Sequence, residues 1–151
     1  MYKVGSLLGK GAFGCIYKGR LTHDESKLVA IKMEHVNAKY PQLKLESKIY
    51  KKLHGEKGIA KCYYYGIEQN YRVLVLEYLP TSVSELFTAN NKHFTTKMIA
   101  HIGSSMVDIL RRVHNKGILH RDMKPENMMI DASNNVYLID FGLSKPYVID
   151  N

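Results

Sequence analysis

The chain has 151 residues, 45% hydrophobic and 24% charged, which suits one domain or two small lobes sharing a core. Its formal charge of +8 favours anionic partners such as nucleotide or acidic or phosphorylated peptide, while no block of consecutive Lys/Arg singles out nucleic acid. Cys15 and Cys62 make neither a disulfide framework nor zinc spacing, the N-terminus lacks a signal-peptide core, and no apolar run reaches membrane-spanning length, so a soluble intracellular protein without a membrane partner is expected.

Residues 3–33 read as three strands: Lys3–Leu8, Cys15–Lys18 and Leu28–Lys32. Between the first two lies Gly9-Lys10-Gly11-Ala12-Phe13-Gly14. Glycines in G-x-G-x-x-G spacing let a backbone bend sharply and bring its N–H groups close to phosphate oxygens. Alone, the spacing marks an ordinary turn at least as readily. A dinucleotide-binding version needs a helix after the last glycine, whereas β-type residues follow here, so the loop is read as a hairpin tip. Pro41–Leu53 predicts a helix, with Pro41 near its first turn and Gly55 as its stop. Leu43, Glu46, Ile49, Tyr50 and Leu53 share one face. Glu46 thus points with the apolar side chains, and a carboxylate there needs a cation. Lys32, at the end of an apolar strand, is the candidate.

Ala60–Ile67 and Tyr71–Leu76 predict two more strands around a Glu68-Gln69-Asn70 turn. Glu77-Tyr78-Leu79-Pro80 reads as a linker with free backbone groups for a planar base. Ser82 and Glu85 fit a capping box for a short helix over Ser82–Phe87. Thr95 or Thr96 caps a long helix in which Ile99, Ile102, Met106, Ile109, Leu110 and Val113 form a core stripe, closed by Gly117. Ile118-Leu119 is a short strand into His120-Arg121-Asp122-Met123-Lys124-Pro125-Glu126-Asn127. A hairpin of Met128–Ile130 and Val136–Ile139 then delivers Asp140-Phe141-Gly142.

The glycine loop, Val29-Ala30-Ile31-Lys32, Glu46 on a helix, His120 to Asn127 and Asp140-Phe141-Gly142 occur in the order that marks a eukaryotic protein kinase. Tyr40 to Tyr50, Gly58-Ile59, Ser84-Glu85-Leu86-Phe87 and Asp140 to Lys145 resemble the casein kinase 1 family in particular, over roughly residues 2–147. Lys124, two places after Asp122, is similar to serine/threonine kinases rather than tyrosine kinases. The resemblance implies an α+β kinase-like fold. Residues 1–79 would form a complete N-lobe with its hinge, built on a five-stranded antiparallel sheet plus one helix. Residues 80–151 would form a partial helical C-lobe. It also implies a chain that stops within the activation segment, leaving apolar surface on the long helix exposed and His120 and Arg121 short of an anchor.

By the same resemblance, Asp122 is the general base and Lys124 stabilises the transferred phosphoryl group. Asn127 and Asp140 hold Mg²⁺ through oxygen ligands. Lys32, positioned by Glu46, contacts the α/β-phosphates of ATP, and Gly9, Lys10, Gly11, Ala12, Phe13 and Gly14 cover them. Leu8, Ile16, Ala30, Leu76, Met129 and Ile139 sandwich the adenine, whose edge pairs with backbone near Glu77 and Leu79. Lys32 would then face Asp122 and Asp140 across one cleft. Glu126 stands where casein kinase 1 proteins commonly carry Asp, Pro80-Thr81-Ser82 only loosely matches their Gly-Pro-Ser, and Cys15 replaces a commonly acidic residue. The expected activity is ATP-dependent phosphorylation of Ser/Thr in acidic or phosphorylated proteins, by a monomer of nucleus or cytoplasm unless a partner covers the exposed surface. A catalytically inactive kinase-like protein that binds nucleotide or a partner, or a fragment without a stable fold, is the alternative.

Overall fold

Tyr2–Gly11 (β1) and Gly14–Leu21 (β2) form an antiparallel hairpin whose register closes on Gly11 opposite Gly14. The computed structural model describes residues 1–11 and 14–147, so the tip residues Ala12 and Phe13 lie outside the described residues. Gly14 has φ +140°, and a Cβ there would lie 2.1 Å from the Met33 carbonyl oxygen. Only glycine lets β2 start this close to its neighbour. Asp24–His35 (β3), Cys62–Glu68 (β4) and Tyr71–Glu77 (β5) complete a five-stranded antiparallel sheet of order β1-β2-β3-β5-β4, as expected.

Alternation along the strands gives the sheet two different faces. Val29, Ile31, Val73 and Val75 are buried on one face beneath Tyr2, Tyr17, Met33, Tyr63 and Tyr64. Cross-strand register puts Ile16, Ala30, Lys32, Glu34, Leu74 and Leu76 on the other. This second face carries the helix Leu43–Lys52 (α1), which buries Leu43, Glu46, Ile49 and Tyr50. The helix starts later than expected. Pro41 precedes it, and its first helical bond runs from the Glu46 N–H to the Gln42 carbonyl at 2.9 Å. Leu53, fully buried, lies just past its end.

The chain divides into two units that do not follow chain order. One comprises Met1–Lys51 and Lys61–Tyr78, the other Lys52–Ala60 and the chain from Leu79 onward. The segment Lys52–Ala60 joins the second unit through Ile59, which bridges Leu138, and through the Gly58 carbonyl, which accepts the Leu138 N–H at 2.9 Å.

In the second unit, Ser82 caps Val83–Ala89 (α2) with the predicted box. Its hydroxyl accepts from the Glu85 N–H at 3.1 Å, and the Glu85 carboxylate accepts the Ser82 N–H at 2.8 Å. Thr95 caps Thr96–Asn115 (α3). Ile102, Met106, Ile109 and Val113 are buried, and α3 packs against the strands Ile118–Leu119 (β7) and Val136–Leu138 (β9). Ile99 departs from the expected stripe: it is 58% exposed, in the first turn of α3, a full turn before the buried stripe begins. Val107, on the outer side, is 69% exposed. Thr81–Ser82 (β6), Met128–Ile130 (β8) and β9 make a three-stranded sheet, and Lys145–Pro146 (β10) pairs with β7. Of the three two-residue strands, β7 is expected from the sequence, while β6 and β10 are not, because residue pairs that short show no periodicity. Cys15 and Cys62 are free thiols. Among the described residues no helix is long and apolar enough to cross a membrane.

Gly58 has φ +82°, and a Cβ there would meet the Ile109 side chain at 2.5 Å and the Val136 carbonyl oxygen at 3.2 Å. Gly58→Ala is therefore expected to destabilise the second unit by about 2–4 kcal/mol, from backbone strain plus overpacking. Chemical denaturation checks this; an unchanged midpoint would refute the close packing described.

Candidate active site

In the first unit, Lys32 Nζ donates to Glu46 Oε1 at 2.6 Å, with side chains 11% and 2% exposed. This is the pairing expected from the helix spacing. Ile16, Ala30 and Leu76 share the sheet face of Lys32, giving an apolar patch that ends in an ammonium group. Leu8 is 48% exposed on β1. Gly9, Lys10 and Gly11 end β1, where a Cβ at Gly9 or Gly11 would meet nothing within 4 Å. Packing among the described residues requires neither glycine. The Glu77 N–H is already donated to the Lys61 carbonyl at 2.8 Å, and its carboxylate accepts the Lys61 N–H at 3.1 Å. That amide is not free for a base, which narrows the expectation at Glu77 to its carbonyl.

A residue the sequence reading passed over lies beside the pair. Glu34 is 1% exposed and accepts the Gln42 N–H at 2.6 Å, the Leu43 N–H at 3.3 Å and Arg72 Nη1 at 3.2 Å. Strand alternation from Lys32 could have put Glu34 on the helix-bearing face. Nothing local points to Arg72.

In the second unit, the loop from His120 to Asn127 is organised around Asp122. Lys124 Nζ donates to Asp122 Oδ2 at 2.7 Å, and Asn127 Nδ2 donates to the same oxygen at 2.9 Å and to the Asp122 carbonyl at 2.8 Å. The hydrogen bond from Lys124, helped by that from Asn127, holds the Asp122 carboxyl below the ordinary aspartate range and outweighs the opposing effect of partial burial. The same contact raises the Lys124 ammonium above its ordinary value.

Within the described residues, nearer parts of the chain hold His120 and Arg121. His120, 2% exposed, takes the Asp122 N–H on Nδ1 at 3.3 Å, so its Nε2 carries the proton donated to the Ile139 carbonyl at 2.9 Å. Its ring meets buried Phe141 edge-on at 5.0 Å. Arg121 Nε donates to the Leu143 carbonyl at 2.8 Å, and Ser144 Oγ to the His120 carbonyl at 3.2 Å. Leu143 and Ser144, just after Gly142, supply two of these anchors. Ser144 lies in the stretch that carries the resemblance, but no local pattern gives it this anchoring role.

Arg121 and Asp140 have φ +67° and +65°, a conformation non-glycine residues adopt at a cost. The Ile139 N–H donates to the Asn127 carbonyl at 3.0 Å, tying the Asp140 loop to the Asp122 loop. Met129 on β8 and Ile139 are half-buried, and Leu79 is buried. The structure thus brings Asp122, Lys124 and Asn127 together in one unit and Lys32 with Glu46 in the other.

A divalent cation suits these donors. Both Asn127 Nδ2 bonds leave its Oδ1 for a ligand, and Asp140 adds a carboxylate. Among the described residues no group of three His, Cys, Asp or Glu side chains could hold a metal alone. Two hard oxygens without a full cage suit a cation completed by water and phosphate oxygens.

An ammonium held at the end of an apolar strand face, and an aspartate held by a lysine and an asparagine, are the parts of a phosphotransferase that works on a nucleotide. The protein kinase domain model matches residues 2–151, and the chain belongs to the protein kinase family. With that membership come protein kinase function, ATP and a divalent metal, and protein substrates.

Lys124→Met is expected to raise the Asp122 pKa toward the ordinary value of about 3.9, read by carboxyl NMR titration. The folded pKa is depressed, so Asp122 adds stability above its unfolded pKa, lost as pH falls through the folded one. The variant should therefore lose less stability on acidification below about pH 4. An unmoved Asp122 titration would show that Lys124 is not what holds it.

Proposed function

We propose that the chain is a serine/threonine protein kinase of the casein kinase 1 type that uses MgATP. The carrying observation is the Asp122–Lys124–Asn127 cluster, in which one carboxylate oxygen is fixed by two donors at 2.7 and 2.9 Å. Lys124 two residues after Asp122 supports serine/threonine specificity. The +8 charge supports acidic or phosphorylated substrates.

In this reading the second Asp122 oxygen orients the substrate hydroxyl. The hydroxyl oxygen bonds to the γ-phosphorus, the bond from that phosphorus to the β–γ bridging oxygen breaks, and the hydroxyl proton passes to Asp122. Its depressed pKa makes Asp122 a weak base, so it positions the hydroxyl and takes the proton as the alcohol becomes acidic late in transfer. Lys124 turns from Asp122 toward charge on the moving phosphoryl group. Asn127 Oδ1 and Asp140 would hold Mg²⁺, which would neutralise charge on the phosphate oxygens. Lys32, fixed by Glu46, contacts the α/β-phosphates, and the backbone of Gly9, Lys10, Gly11 and Gly14 covers them. Ile16, Ala30, Leu76, Met129 and Ile139 flank the base, with Leu8 at its outer side and the Glu77 carbonyl and Leu79 backbone at its edge.

Transfer of radiolabel from ATP to casein or an acidic peptide tests this reading. Asp122→Asn should lower the rate about 10²–10⁴-fold. Lys32→Met should weaken transfer strongly. MgATP should also raise the melting temperature. Label transfer that survives Asp122→Asn would come from a contaminant, and no transfer with no thermal shift would end the proposal.

A further inference from the structure

We infer that Glu34, braced by Arg72, is a positioning residue that sets the height and rotation of α1 and so holds Glu46 on Lys32. The chain before α1, Lys39-Tyr40-Pro41-Gln42, contains none of the Ser, Thr, Asp or Asn residues that cap helices locally. Glu34 replaces such a cap from a distance. Its Oε1 accepts the N–H of Gln42 at 2.6 Å and of buried Leu43 at 3.3 Å, two of the donors a helix start leaves unpaired. Its Oε2 accepts from Arg72 Nη1 at 3.2 Å, and the same nitrogen donates to the His35 carbonyl at 3.2 Å. Arg72 stands directly across from Glu34 on β5, so strand pairing aims this brace.

The spacing makes the two contacts one device. Lys32 and Glu34 are two strand residues apart, about 6.8 Å. Gln42 and Glu46 are four helix residues apart, about 6 Å. The strand and helix therefore meet at two matched rungs, Glu34 with Gln42 and Lys32 with Glu46. One rung alone leaves the helix free to rotate about it. Two rungs remove that freedom. Lys32, Glu46 and Glu34 are buried and Gln42 is half-buried, so losing either contact strands a buried charged group. Gln42→Ala should matter little, since only its backbone is used.

The consequence for transfer rests on the phosphate role proposed for Lys32, so the test reads the pair without turnover. Amine acylation of the whole chain, followed by mass spectrometry, reports Lys32 access relative to exposed Lys57. Glu46→Gln sets the upper limit. Glu34→Met, which removes every acceptor, should raise Lys32 labelling about tenfold, the population shift expected when a charge-assisted hydrogen bond is lost. Glu34→Gln keeps one carbonyl oxygen for the two amides and should restore most of the protection. Val73→Ala, on the opposite face of the same sheet, controls for general loss of stability and should leave Lys32 protected. If Glu34→Met does not fold, Arg72→Met removes the brace alone and should give an intermediate rise. Labelling in the Glu34 or Arg72 variant no higher than in Val73→Ala, with Glu46→Gln clearly higher, would overturn the inference. Absence of phosphoryl transfer in the unaltered chain would count against the proposed function and leave this result standing.

Discussion

A lysine and a glutamate separated by 14 positions share a contact of 2.6 Å inside the first unit, and much of that unit follows from the need to make it. Neither ion tolerates burial alone, because stripping water from a charge costs more than any single apolar contact returns. Strand β3 must therefore run at the middle of the sheet, and α1 must lie over the face that carries Lys32. The opposite face is left to aliphatic residues under a layer of tyrosines, which needs no charge to settle it. A buried pair of this kind contributes little net stability. It contributes a unique placement: any slip of one residue along β3 would turn Lys32 to the tyrosine face.

The second unit uses a different economy of charge. Asp122 remains partly exposed, yet a lysine and an asparagine from its own loop fix it within five residues of chain. His120 does the longer-range work, joining the Asp122 amide, the Ile139 carbonyl and the Phe141 ring through one buried imidazole. The positive φ angles at Arg121 and Asp140 fall beside these contacts, which hold both residues in a conformation they would not choose alone.

What the sequence disclosed tracks the range of the interaction. The Ser82–Glu85 box and the Thr95 cap are local, and both were readable as patterns of a few residues. Glu46 was readable because helical spacing placed a lone carboxylate among apolar neighbours. The five strands were readable from alternation, although β1, β2, β3 and β5 run longer, since pairing extends a strand past its apolar centre, and β4 starts two residues later than Ala60. Glu34 and Arg72 were not, because they lie 38 positions apart and meet only once β3 and β5 are neighbours. Ile99 misled because periodicity identifies a helix face but not where its cover begins. The passage of Lys52–Ala60 into the second unit depends on Ile59 and Gly58 meeting Leu138, a contact no local pattern announces.

The strand pair β7–β10 has a mechanical meaning. Lys145 and Pro146 lie opposite Leu119 and Ile118, the Tyr147 N–H reaches the Gly117 carbonyl at 2.9 Å, and the Tyr147 hydroxyl reaches the His114 carbonyl at 2.9 Å. With the Arg121–Leu143 and Ser144–His120 bonds, these links run side by side along two oppositely directed pieces of chain. A pull on Tyr147 along that direction loads them together in shear, the geometry in which short ladders resist longest, and tension spreads into α3 before it reaches Gly142. Asp140 is thereby insulated from a load applied at Tyr147.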